Sequence, residues 1–124
     1  MASLKILKHT AKGVISTSDG TTWTTLASYT LSSNAGFSIR NIIVSGKDGA
    51  GNIAESQGTH RGIRASGTIS LVGSLVDLIT MIVGSSAALN TSAYRINISG
   101  DNIQLQVKGV AATTIEWLGS FDIL

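Results

Sequence analysis

From residue 93 to Leu124, apolar and polar side chains alternate almost without a break. A period of two is the mark of strands that bury one face and wet the other. Tyr94, Ile96 and Ile98 share one face and lead to a Gly100-Asp101-Asn102 turn. Ile103, Leu105 and Val107 then alternate with Gln104, Gln106 and Lys108. After a short connection over 109–112, Ile115, Trp117, Gly119, Phe121 and Ile123 fall on one side, with Thr114, Glu116, Ser120 and Asp122 largely on the other. The pattern predicts three consecutive antiparallel strands and an all-β sandwich or barrel. Trp117 is expected inside, while Glu116 is expected to face solvent or a neighbouring chain.

A chain of 124 residues fits one domain with one core. Hydrophobic residues make up 43% and charged residues only 13%, so more apolar surface is expected than a lone domain hides, and a partner is expected to cover part of it. The absence of Cys excludes disulfides and thiolate metal sites, leaving packing or assembly as the source of stability. The absence of Pro leaves strand edges unblunted, as suits edges paired or covered in an assembly.

Upstream, residues 14–17 are predicted as a short strand, followed by an Asp19-Gly20 turn of the type that tight hairpins favour. Residues 22–31 and 37–47 read as strands separated by a loop at 32–36, and 48–52 as a hairpin tip. Residues 53–66 are polar on both faces, so no face there is expected in a core. That segment is either an exposed edge or a polar contact between subunits, with Glu55 and Arg61 as candidate interface residues. Residues 67–73 resume the sheet. The run 75–83, with Leu75, Leu78, Ile79 and Met81, is apolar on both faces except at Asp77 and Thr80, and is expected to lie between its own core and a sister subunit. A loop over 84–91 precedes the C-terminal meander. The expected architecture is a single antiparallel β-sandwich, jelly-roll or Greek-key like, over residues 21–124, with residues 1–20 forming a basic arm and the first short strand.

Lys5, Lys8 and Lys12 lie in the first twelve residues, and the rest of the chain holds six basic against seven acidic groups. The arm is either a solvated tail or a segment that docks on an acidic neighbouring surface. The start of the chain has no apolar core of a secretory signal, and the stretch 69–83 is too short for a membrane helix and carries Asp77, so a soluble protein is expected. Arg40, Arg61, Arg64 and Arg95 are dispersed, and no nucleic-acid or membrane partner is expected.

His9 and His60 are the only histidines and have no ligand spacing around them, so no zinc site is expected. Serines are abundant but there is no G-x-S-x-G elbow. Asp48, Gly49, Gly51 and Asn52 admit a weak calcium-loop reading beside the hairpin one. A glycosidase pair would need Glu55 or Glu116 with a second carboxylate. No cofactor and no enzymatic activity are expected. Trp23 and Tyr29 are the aromatics that could recognise a host-surface glycan.

The stretches Gly67-Thr68-Ile69-Ser70-Leu71-Val72-Gly73-Ser74, residues 94–109 (YRINISGDNIQLQVKG) and Thr113-Thr114-Ile115-Glu116-Trp117 resemble a small β-sandwich module of tailed-bacteriophage structural proteins. Such modules occur in capsid decoration or cement proteins, head fibres and tail-fibre tips. Residues 24–28 (TTLAS) and 47–54 (KDGAGNIA) are similar to the module's first strand and hairpin loop. Tyr94 stands where relatives often hold tryptophan. The resemblance implies a trimeric, non-enzymatic protein at the virion surface, made in the host cytoplasm. A capsid decoration or cement protein that binds the major capsid protein or another virion protein is the leading expectation. A receptor-binding module of a head or tail fibre is the alternative.

Overall fold

A computed structural model describes residues 9–31, 35–65, 68–71, 79–81 and 87–124, with residues 35, 59–65, 70, 71 and 79–81 followed as backbone. Nine strands carry the described chain: β1 (His9–Thr17), β2 (Trp23–Thr30), β3 (Ala35–Asp48), β4 (Ile53–Ala65), β5 (Thr68–Leu71), β6 (Ile79–Met81), β7 (Ala93–Ser99), β8 (Asn102–Lys108) and β9 (Ile115–Ile123). A single 3-10 turn, Ala87–Leu89, precedes β7. The strands form a five-stranded sheet, β1-β9-β3-β4-β5, and a four-stranded sheet, β2-β8-β7-β6. All pairings are antiparallel. The fold is an all-β sandwich. Each sheet holds a three-strand meander flanked by a strand distant in sequence, which is the ordering of a Greek key.

The core lies between the sheets, and Trp117, Phe121, Ile115, Leu105, Ile103, Val107, Ile39, Ile42 and Val44 have no exposed surface. The C-terminal alternation emerges as expected, Trp117 inside and Glu116 exposed. The Trp117 ring lies over Gly46, its partner on β3, where an added Cβ would come within 2.5 Å of the indole. Its Nε1–H donates to Thr17 Oγ1 at 2.9 Å in a buried hydrogen bond. Glycine at 46 thus opens the space, and Thr17 satisfies a polar group whose burial would otherwise be costly.

Three expectations are corrected. The first strand begins at His9 rather than at residue 14, because its whole length finds ladder partners on β9, from His9 opposite Ile123 to Thr17 opposite Ile115. Lys12 is therefore an exposed strand residue, not part of a free arm; Lys5 and Lys8 lie outside the described residues. Asp19-Gly20 is not a hairpin turn, since β1 and β2 belong to different sheets and Gly20 does not take a positive φ. The Asp19 carboxylate shapes this connection instead, accepting from the backbone N–H groups of Thr21 at 3.0 Å and Thr22 at 2.8 Å.

The third correction concerns residues 53–66. β4 is an interior strand between β3 and β5, and Ala54 and Ser56 are buried. Its inward positions are small because bulk arrives from the opposite sheet: Tyr94 reaches across, its hydroxyl donating to the Gln57 carbonyl at 3.3 Å and filling the space a side chain at Gly58 would need. Leu75 and Leu78 lie outside the described residues. Ile79 and Met81 sit in β6, an edge strand among the described residues, in register with Arg95 and Ala93.

Trp117→Ala is expected to cost roughly 3–5 kcal/mol, and Gly46→Ala roughly 1–3 kcal/mol by overpacking, whereas Glu116→Ala is expected to be near neutral. Urea unfolding of the three variants checks this ranking, which fails if Gly46→Ala is as stable as the parent.

Candidate interaction surfaces

The two outer faces of the sandwich differ in chemistry. On the five-stranded sheet, the register sets Val14, Leu118, Ser45 and Glu55 in one row, with Lys12, Ser120, Ile43 and Gln57 on one side of it and Ser16, Glu116, Lys47 and Ile53 on the other. Residues directly opposed across a ladder share a face and touch. Val14 is 70% exposed, Leu118 58% and Ile43 48%, so an apolar strip faces outward, with Ile53, 47% exposed, set apart from it beyond Ser45 and Lys47. Lys12, Lys47, Glu55 and Glu116, all exposed, border it with both signs of charge.

A β-bulge makes Ile43 part of this strip. Between Ile39 and Ile42 the ladder slips, Asn41 takes a φ of 53°, and the inward set moves from Phe37 and Ile39 to Ile42 and Val44. Asn tolerates that left-handed backbone, and its Nδ2 donates at 2.8 Å to Asp122 Oδ2, while Thr10 Oγ1 donates at 2.6 Å to Oδ1. The phase change is visible in the order Phe37, Ile39, Ile42, Val44, and is the signal that marks Ile43 as outward. Beside the bulge lies an open cleft of about 280 Å³ lined by Asn41, Ile42, Gln57 and Gly58, none of which titrates.

The outer face of the four-stranded sheet is polar and cross-linked. Trp23 opens β2, and the Arg95 guanidinium from β7 stacks 4.4 Å from its ring centroid, with the Lys108 ammonium from β8 at 5.2 Å. Arg95 Nε donates at 2.8 Å to Gln106 Oε1, and Gln106 Nε2 donates to Thr25 Oγ1 at 3.1 Å, so one row of side chains ties three strands together. In the next row, Asn97 Nδ2 donates to Gln104 Oε1 at 2.9 Å. Tyr29 is not part of this face: it packs on the core, and its ring meets His9 at 5.3 Å. Of the two aromatics singled out in the sequence, only Trp23 stands on the outer face, and Arg95, Lys108 and the amides around it were not legible as a group.

Glu55 is exposed on the apolar face, and Arg61 lies in register with Ser38. Among the described residues no three His, Asp or Glu side chains gather as a metal ion would require. Among the described residues no helix is long and apolar enough to cross a membrane. At 48–52, with Gly51 at a φ of 86°, the Asp48 carboxylate accepts from the N–H groups of Ala50 and Asn52, both at 2.9 Å, and from Asn52 Nδ2 at 2.8 Å. The loop's own donors thus use both oxygens, as a hairpin cap does. No protein-family model, curated protein or solved structure matches this chain.

Hydrogen bonds from the Asn52 side chain and backbone, then from Ala50, hold the Asp48 carboxyl below its ordinary value of 3.8. A depressed folded value means the contribution is complete above the ordinary value and is lost as pH falls through the lower, folded one. The stability gap between the parent and Asp48→Ala is therefore expected to persist at neutral pH and to close only below about pH 3.8. Urea unfolding across pH, with the Asp48 carboxyl followed by NMR, checks this; a gap that is constant down to the acid limit contradicts it.

Proposed function

We propose that this protein is a non-enzymatic structural component of a tailed-bacteriophage particle, a decoration or cement protein that binds the shell as a homotrimer. The exposed apolar patch of Val14, Leu118 and Ile43 carries this assignment. Val14, Leu118 and Ile43 stand outside the core cluster of the described residues, and exposed apolar side chains grouped on one face suit contact with another protein. The surrounding mixture of Lys12, Lys47, Glu55 and Glu116 suits orientation of a protein partner rather than capture of a polyanion. The motif resemblance in residues 67–74, 94–109 and 113–117 supplies the kind of particle. Lys12 borders the docking face, and its charge, together with those of Lys5 and Lys8 in the sequence, steers the approach to an acidic shell surface.

The test is cosedimentation with empty phage shells. The parent is expected to pellet with shells, and Val14→Ser combined with Leu118→Asn is expected to lower the bound fraction about tenfold, a loss of about 1.4 kcal/mol, with unchanged unfolding. Changing Lys5, Lys8 and Lys12 to Glu is expected to slow binding and mimic added salt. Sedimentation equilibrium is expected to show three chains. A stable monomer at micromolar concentration, or a double variant that binds shells like the parent, overturns the assignment.

A further inference from the structure

We propose that the outer face of the four-stranded sheet is a binding site for an anionic polysaccharide, in which Arg95 forks onto a carboxylate and Lys108 supplies a second cation. This site lies on the face opposite the apolar strip and does not rest on the shell-docking reading.

Arg95 is fixed at two points, its plane stacked on Trp23 and its Nε bonded to Gln106. A guanidinium held this way has already lost much of its rotamer freedom. With Nε committed, the terminal Nη groups have no protein partner among the described residues, and they form the edge that takes a carboxylate in bidentate fashion. Lys108 gathers a second positive charge over the same indole. Among the described residues no carboxylate pairs with either cation. Two like charges held on one ring repel, and an anion between them relieves that repulsion.

The neighbouring row selects a sugar as the bearer of that anion. Asn97 and Gln104 are joined by one hydrogen bond, which leaves Gln104 Nε2 as a donor and Asn97 Oδ1 as an acceptor with no partner among the described residues. They stand two residues along the ladder from Arg95 and Gln106, about 7 Å by strand geometry. Neutral donors and acceptors beside a paired cation match a ring that carries both hydroxyls and a carboxylate. A single-stranded nucleic acid is disfavoured, because it requires a basic track and open ring faces, whereas here Arg95 occupies the Trp23 ring.

Isothermal titration of the full chain with polygalacturonate and with polysialic acid tests this, using methyl-esterified polygalacturonate and single-stranded DNA as controls. At least one of the two acidic polymers is expected to bind about tenfold more tightly than the neutral ester and than DNA, and to weaken with salt. Arg95→Lys, which keeps the charge and loses the fork, is expected to reduce affinity about tenfold while the protein remains folded. Lys108→Gln, which removes one of the two cations over the Trp23 ring, is expected to reduce it by a smaller factor. Failure of both acidic polymers to bind, equal binding of the ester or of DNA, or unaltered binding by both folded variants overturns the proposal.

Discussion

The Trp117 indole is the point on which the sandwich closes. It sits on β9, which lies between β1 and β3, so one ring touches the strand that opens the described chain, the long central strand and the strand that ends it. Gly46 gives it a floor and Thr17 takes its N–H. The Thr17 bond joins residues 100 positions apart, so it forms only after β1 and β9 meet. Early formation of this contact is disfavoured by loop-closure entropy, and its loss leaves both a cavity and an unpaired buried donor.

With the inner faces consumed by this core, each sheet has one face left, and the residues there have diverged. The five-stranded sheet presents valine, leucine and isoleucine between charges of both signs; the four-stranded sheet presents a tryptophan, two cations and a row of amides. Bulges help set this division. At Asn41 the slip exposes Ile43, and the slip between Thr25 and Ala27 keeps Thr25 outward beside Gln106 while Leu26 and Ala27 are both buried. One small domain can thereby offer two chemically separate contacts back to back.

The local sequence determined the strands of the C-terminal meander, the burial of Trp117, the exposure of Glu116 and the turns at 48–52 and 100–102, because alternation and turn chemistry act between near neighbours. It also held the phase change from Phe37 and Ile39 to Ile42 and Val44. The tertiary structure decided what lies beside what. β4 looked polar on both sides, yet Ala54 and Ser56 are buried because Tyr94 supplies the volume from the other sheet. His9 to Gly13 carry no strong strand signal, yet they are strand because β9 offers a ladder. The apolar strip and the Trp23, Arg95 and Lys108 cluster each draw residues from strands far apart in the chain. Alternation says which side chains turn inward; only the register between distant strands says which outward ones meet, and that register is set by the shared core rather than by any local run of residues.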